Sequence, residues 1–194
     1  HAAHAAGVIH RDVKPSNILL RNDVITMCSA ESTLTVKLAD FGIARTSDLT
    51  QLTQGPIGTL AYMAPDPQAS PKSDLYALGC VIFEMLTGRP PFMGATITAL
   101  LKAHAFQKPA RHLGPAEVRP LVRALLAKKA AQRPENAAAV VAIIDGSAKP
   151  SSGLTRINAE TAVRAVVRTQ AEAPLWLRLG IGVFFGFAFF QLHG

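Results

Sequence analysis

Cysteine is nearly absent from this 194-residue chain: only Cys28 and Cys80 occur. They are spaced neither as metal ligands nor as a disulfide framework, which excludes a disulfide-stapled secreted scaffold and fits inert thiols in a reducing cytosol. Aromatic residues are also scarce, at 6%, and the first 170 positions interleave almost none of them with their scattered lysines and arginines. A nucleic-acid platform needs stacking rings along a basic groove, so no nucleic-acid partner is expected despite the net charge of +7. His1, His4, His104, His112 and His193 have no carboxylate or cysteine at ligand spacing. Their expected environment is solvent or an ordinary hydrogen bond, not a metal.

What is present suffices for one core. The chain is 49% hydrophobic, enough for one globular unit with an appendage. His1 to Ala6 reads as the end of an Ala-rich helix stopped by Gly7, with Val8-Ile9 a short apolar strand. Ile18 to Leu20 and Val36 to Leu38 read as a strand pair, and the polar Arg21 to Thr35 between them as a surface insertion. From Lys72, the residues Leu75, Leu78, Val81, Ile82, Met85 and Leu86 recur at helical spacing until Gly88 and Pro90-Pro91 end the run, which predicts a buried central helix. Further apolar faces at Ile97, Leu100 and Leu101, at Leu121, Val122, Leu125 and Leu126, and at Val140, Val141, Ile143 and Ile144 complete a helical bundle.

The most specific signals are ordered motifs. His10-Arg11-Asp12-Val13-Lys14-Pro15-Ser16-Asn17 is followed, 23 residues after its Asn, by Asp40-Phe41-Gly42. Then come Gly58-Thr59-Leu60-Ala61-Tyr62-Met63-Ala64-Pro65 and Ser73-Asp74-Leu75-Tyr76-Ala77-Leu78-Gly79. Together these resemble the catalytic loop, metal-binding motif and later segments of serine/threonine protein kinases, in the style of the bacterial, eukaryotic-type branch. The resemblance implies an α+β fold class, a protein-kinase-like C-lobe that is mostly α-helical. It also implies ATP and Mg²⁺ as cofactors, and transfer of the γ-phosphate to Ser/Thr hydroxyls of protein substrates.

Residue by residue, the resemblance makes Asp12 the catalytic base, Lys14 the contact to the transferring phosphate, Asn17 a ligand of one Mg²⁺ and Asp40 the main metal ligand. Hard Mg²⁺ prefers oxygen donors of this kind. His10, Phe41 and Gly42 take structural places around them. Thr59 is expected near the base and the substrate hydroxyl, and Asp74 is expected to hydrogen-bond the backbone of the catalytic loop. Arg11 would pair with a phosphorylated residue of the activation loop, for which Ser47, Thr50 and Thr53 are the candidate acceptors.

Departures from the family pattern are informative. Only nine residues precede His10, so this chain lacks the N-lobe with its Gly-rich loop and strand lysine, and the initial His1 points to a fragment. Without that lobe, catalysis by the chain alone is expected to be negligible. Ala64-Pro65-Asp66 stands where the family has Ala-Pro-Glu. Asp66 is one methylene short for its expected partner Arg133, which leaves two readings open: a weakened pair with a distorted peptide-binding loop, or a tolerated carboxylate swap. In Lys128-Lys129-Ala130-Ala131-Gln132-Arg133-Pro134 an acidic residue of the family motif is replaced.

The expected domain plan is a partial catalytic domain over 1–144, a juxtamembrane linker over 145–174 with a short helix from Ala159 to Arg168, and a transmembrane helix over 175–192. The uncharged run from Leu179 to Leu192 would reach only about 21 Å as a helix. Including Leu175 to Leu177, with Arg178 snorkelling, brings it near spanning length. Trp176 and the arginines on the kinase side suit a single-pass inner-membrane protein with its kinase portion cytoplasmic; a cytoplasmic location is the alternative. Gly182 and Gly186 form a small-xxx-small pair, too common to imply a dimer. A different function remains open beside the enzyme: a truncated kinase homologue serving as a protein-interaction module.

Overall fold

The computed structural model describes residues 2–21, 35–41, 57–110, 116 and 118–144. In chain order the elements are α1 (Ala2–Ala5), β1 (Ile18–Arg21), β2 (Thr35–Leu38), α2 (Ile57–Leu60), α3 (Pro71–Thr87), α4 (Ile97–Phe106), α5 (Arg119–Leu125) and α6 (Ala137–Ile144). Short 3₁₀ turns cover Pro15–Asn17 and Ala130–Gln132. β1 and β2 form an antiparallel pair with Ile18 opposite Leu38 and Leu20 opposite Val36.

Helix α3 begins where local chemistry tells it to. Ser70 caps it: its Oγ accepts from the Ser73 backbone N–H at 3.3 Å, and the Ser73 hydroxyl accepts from the Ser70 N–H at 3.1 Å. Pro71 follows at the first helical position, where a missing N–H costs nothing. At the other end Gly88 takes φ +75° and its N–H closes on the Glu84 carbonyl at 2.7 Å, a left-handed stop that glycine adopts without a Cβ penalty.

The seventeen residues of α3 are wrapped on most sides. Tyr76, Cys80, Phe83 and Leu86 pack with Leu60, Phe92, Leu100, Ala103, Val118, Val122 and Leu126. Leu75 meets Leu121, Leu125 and Val140, while Ala77 and Val81 lie beneath Val13 and Ile18. A helix buried nearly all round is the core of its domain, and here it sits directly under the His10–Asn17 loop. Its approach to α5 is so close that a Cβ on Gly79 would lie 2.8 Å from Leu125 Cβ.

Some sequence expectations change. Val8-Ile9 is not a strand, because the Val8 N–H bonds back to the Ala3 carbonyl at 2.9 Å and that of Gly7 to His4 at 3.0 Å. This is a Schellman closure of α1 that uses the donors a strand would need. Met85 and Val141, placed by periodicity on apolar faces, are 47% and 54% exposed. Val140 is the buried member of α6, since the helical period carries its neighbour 100° away.

Among the described residues no helix is long and apolar enough to cross a membrane. The interior of the Arg21 to Thr35 insertion, Cys28, the 145–174 linker and the 175–192 segment with Gly182 and Gly186 lie outside the described residues, as do His1, His112 and His193.

Candidate active site

Four pieces of chain meet at the site: the loop His10–Asn17, the segment Ala39–Phe41 that leaves β2, the first turn of α3, and Thr59 of α2. Asp74 joins the first and third. Buried at 6% exposure, its Oδ2 accepts from the His10 backbone N–H at 2.8 Å and its Oδ1 from the Arg11 N–H at 2.9 Å. His4 Nε2 donates to the same Oδ2 at 2.8 Å. Arg11 is held at φ +66°, a left-handed conformation that costs an arginine roughly 1–2 kcal/mol and persists only where its surroundings fix it. The buried carboxylate is what fixes it here.

His10 joins the loop to Ala39–Phe41. Its Nδ1 accepts from the Asp12 N–H at 3.2 Å, which assigns the ring proton to Nε2, and Nε2 donates to the Ala39 carbonyl at 2.9 Å. The ring lies 4.6 Å from that of Phe41. From the other side the Ala39 N–H donates to the Asn17 carbonyl at 2.8 Å. Asp40 thus directly follows a residue bonded twice to the loop, and it too is left-handed, at φ +54°.

The polar side chains converge on Asp12. Lys14 Nζ lies 2.9 Å from Asp12 Oδ2 and 3.5 Å from Thr59 Oγ1, so Thr59 of α2 closes one side. The Asn17 amide nitrogen donates to the Asp12 carbonyl at 2.8 Å and to Asp12 Oδ2 at 3.2 Å. With its nitrogen so committed, the Asn17 Oδ1 is the atom left to face a cation, and Asp40 offers an exposed carboxylate. Two oxygen donors completed by waters and phosphate oxygens suit Mg²⁺. Among the described residues no group of three or more His, Cys, Asp or Glu side chains could hold a metal, so a Zn-type centre finds no ligand set there.

Arg133 anchors the far side of the site segment. Each guanidinium donor has an acceptor: Nε the Ala127 carbonyl at 2.8 Å, Nη1 Asp66 Oδ2 at 2.6 Å and the Lys72 carbonyl at 2.9 Å, Nη2 Asp66 Oδ1 at 2.8 Å and the Lys128 carbonyl at 3.1 Å. The Ser73 hydroxyl adds a bond to Asp66 at 2.9 Å. The shorter carboxylate therefore still closes a bidentate pair. Beside it, Lys128 Nζ donates to the His104 carbonyl at 2.5 Å and sits 3.8 Å from the Phe92 ring centroid. Burial pushes Lys128 down to about 8 and His104 down to about 4, with the lysine's charge adding to the histidine's shift. Burial likewise raises Tyr76 and the Cys80 thiol.

Gly42, Ser47, Thr50 and Thr53 lie outside the described residues; Arg11 is within them, its side chain exposed. Sequence reasoning expected for His4 only solvent or an ordinary hydrogen bond, with no carboxylate at ligand spacing, and did not identify its carboxylate partner. That partner lies 70 positions away, beyond any spacing rule. Lys128 was missed as a partly buried cation for the same reason.

The family described as protein kinase domain matches residues 1–142. Serine/threonine-protein kinase PknE of Mycobacterium tuberculosis is 37% identical over 185 residues, covering 90% of this chain and 30% of that protein. Serine/threonine-protein kinase PknB of Mycolicibacterium smegmatis is 37% identical over 146 residues, covering 69% of this chain and 21% of that protein. The chain thus spans less than a third of the length of these curated relatives. Among solved structures, Rad53 1-466 in complex with AMP-PNP aligns with a TM-score of 0.53 at 28% identity, over 72% of this chain and 34% of that one. The Rad53 kinase domain with SCD2 gives 0.59 over 88% and 60% at 24% identity, a likeness of fold alone. With the catalytic-loop arrangement and a mostly helical fold behind that match, the chain belongs to the protein kinase domain family.

Proposed function

We propose that this chain is the C-lobe of a bacterial serine/threonine protein kinase that phosphorylates Ser/Thr hydroxyls of proteins. The observation that carries the reading is the convergence of Lys14 and Asn17 on Asp12, with Thr59 against Lys14. Asp12 would orient the substrate hydroxyl and accept its proton, with Oδ2 held by Lys14 and Asn17 so that the carboxylate need not reorganise. Lys14, between Asp12 and Thr59, would meet the negative charge of the transferring phosphoryl group. Asn17 and Asp40 would hold Mg²⁺, which when bound neutralises the triphosphate of ATP.

An N-lobe supplied from upstream would place the nucleotide, so the chain alone would transfer phosphate negligibly. Asp66 and Arg133 would brace the segment that receives the peptide, and Arg11 would pair with a phosphate on Ser47, Thr50 or Thr53. The apolar 175–192 segment would anchor the protein in the inner membrane. A pure interaction module would have no use for an oxygen-ligand pair beside a lysine-neutralised carboxylate.

The test is Mg²⁺-dependent ATP binding and autophosphorylation by this chain and by the protein extended to its natural start, with Asp40→Ala as control. Incorporation by the extended protein alone, lost in the control, is expected. Absence of incorporation from both would overturn the reading.

A further inference from the structure

We propose that His104 is a positioning residue for the turn 60–63, holding the backbone that follows Thr59 through its ring Nε2–H; the inference rests on the kinase reading only for its effect on activity. The His104 ring, on α4, is 1% exposed. Its Nδ1 lies 3.0 Å from the Tyr76 hydroxyl, which itself receives Lys128 Nζ at 3.5 Å. A lysine ammonium can only donate, and Nδ1 is the acceptor that the Tyr76 proton meets, so the ring proton belongs to Nε2. That Nε2–H is buried and has no partner at hydrogen-bond geometry among the described residues.

The polar group that faces it is the Ala61 backbone. Burial and the Lys128 charge lower the His104 pKa, and against them the Ala61 backbone raises it, the direction in which a carbonyl facing a ring N–H acts. α2 packs against α4, with Leu60 buried among Leu100 and Ala103, an apolar contact that has no directional preference. Beyond Ala61, the Met63 N–H closes on the Leu60 carbonyl at 3.1 Å and the Tyr62 hydroxyl donates to Glu84 at 2.5 Å. At Ala61 itself the side chain is a methyl group and offers no hydrogen bond of its own. A buried donor without an acceptor is costly, so a short inward shift of the Ala61 carbonyl satisfies both groups and seats the turn. Thr59, two residues earlier, then keeps its place against Lys14.

The experiment compares the full-length protein with His104→Leu, which fills the site without polar atoms, and His104→Gln, whose amide carries an acceptor for Tyr76 and a donor for Ala61. Amide hydrogen exchange is read at Met63, whose N–H closes the turn, against Val122 and Val140 in the packed helices. In His104→Leu, Met63 should exchange roughly tenfold faster or more with the helix amides unchanged, and His104→Gln should restore most of the protection. Activity is read on a synthetic peptide of this chain's own residues 44–56, which carries Ser47, Thr50 and Thr53. His104→Leu should raise KM for that peptide about fivefold or more while KM for ATP stays within about twofold. Tyr76→Phe removes the hydroxyl that assigns the ring proton and should act in the same direction by less. Added to His104→Leu it should change little further, because the two residues act as one unit.

Equal acceleration at all three amides, or unchanged exchange at Met63, would overturn the proposal. So would a full additional loss on adding Tyr76→Phe, or an equal rise in both KM values. If the wild-type protein transfers phosphate neither to that peptide nor to itself, the kinase reading fails, and the exchange comparison still decides the role of His104.

Discussion

Two carboxylates at the head of α3, Asp74 buried and Asp66 partly so, both bind several donors, yet they are satisfied by different chemistry. Asp66 faces a guanidinium whose five donors are all used, within a region of packed side chains that also holds Tyr76, His104 and Lys128. Asp74 faces two backbone amides and a histidine. A charge pair fixes where segments dock. A carboxylate bound to main-chain N–H groups fixes backbone dihedrals, including one that the chain would not choose unaided. One anchor therefore serves global stability and the other serves local geometry, and the comparison can be broken by changing each side in turn.

The largest effect should come from Arg133→Ala. It leaves the partly buried Asp66 without its cation, along with three carbonyls without their donors, a class of change that costs up to about 3–5 kcal/mol. Asp74→Asn should cost less, about 1–3 kcal/mol, because an acceptor is replaced by a neutral group of the same shape. Urea unfolding of the two variants measures both. Equal losses would mean that the two carboxylates do the same job.

Next in size is an acid effect on the packed side. His104 lies at 1% exposure among Tyr76, Phe92 and Lys128, and its folded-state value of about 4 is below the ordinary 6.5. Between those values the unfolded chain binds a proton that the folded chain refuses. Stability from this group is therefore complete above pH 6.5 and falls away as the pH drops towards 4, by up to about 3 kcal/mol. Melting temperature against pH should slope in that window, and the slope should flatten in His104→Leu. A slope that is unchanged in the variant would place the acid sensitivity elsewhere.

Gly79→Ala sharpens the same contrast sterically. Its new Cβ would meet Leu125 Cβ at 2.8 Å and Leu126 Cδ2 at 3.2 Å, so α5 must shift or the side chains must leave their rotamers, at about 1–3 kcal/mol. Exchange at His10 and Arg11 should follow only the global loss. If the loop amides loosen more than the helix amides, the two regions are mechanically coupled through α3.

Local chemistry was the legible part of this fold. Gly88 could be read as the end of α3 because capping is decided within a few residues, and the loop motif brought Asp12, Lys14 and Asn17 together; the Ser70 cap and Pro71 obey equally local rules, but the reading began the helix at Lys72 and passed over them. The antiparallel pair could be read from two apolar runs. Val8-Ile9 misled because an apolar dipeptide carries no information about whether its amides are already taken. His4 and Lys128 were illegible for a different reason: a polar side chain's burial depends on partners 70 and 24 positions distant, which no periodicity encodes. For Asp66 and Arg133 the pairing could be read, but the three carbonyls that complete the guanidinium's bonding could not.

The smallest effect should be that of Lys128→Met. The lysine's stem and its contact with Phe92 are mostly apolar, and Met fills such a path with little strain. What is lost is the bond to the His104 carbonyl and the cation over the Phe92 ring, set against relief from burying a charge. The net change should be about 1 kcal/mol or less near neutral pH, screening included. The sharper signature is alkaline. Because Lys128 sits at about 8 instead of 10.5, the unfolded chain holds more protons between those values, and the wild-type protein should gain stability as the pH rises from about 8 to 10.5. Lys128→Met removes that gain, so the two stability curves should converge or cross in this window. Curves that stay parallel from pH 7 to 10.5 would show that Lys128 keeps its proton without cost, and that the packed side of α3 tolerates a partly buried lysine beside buried Arg133 as readily as the loop side tolerates its left-handed Arg11 and Asp40.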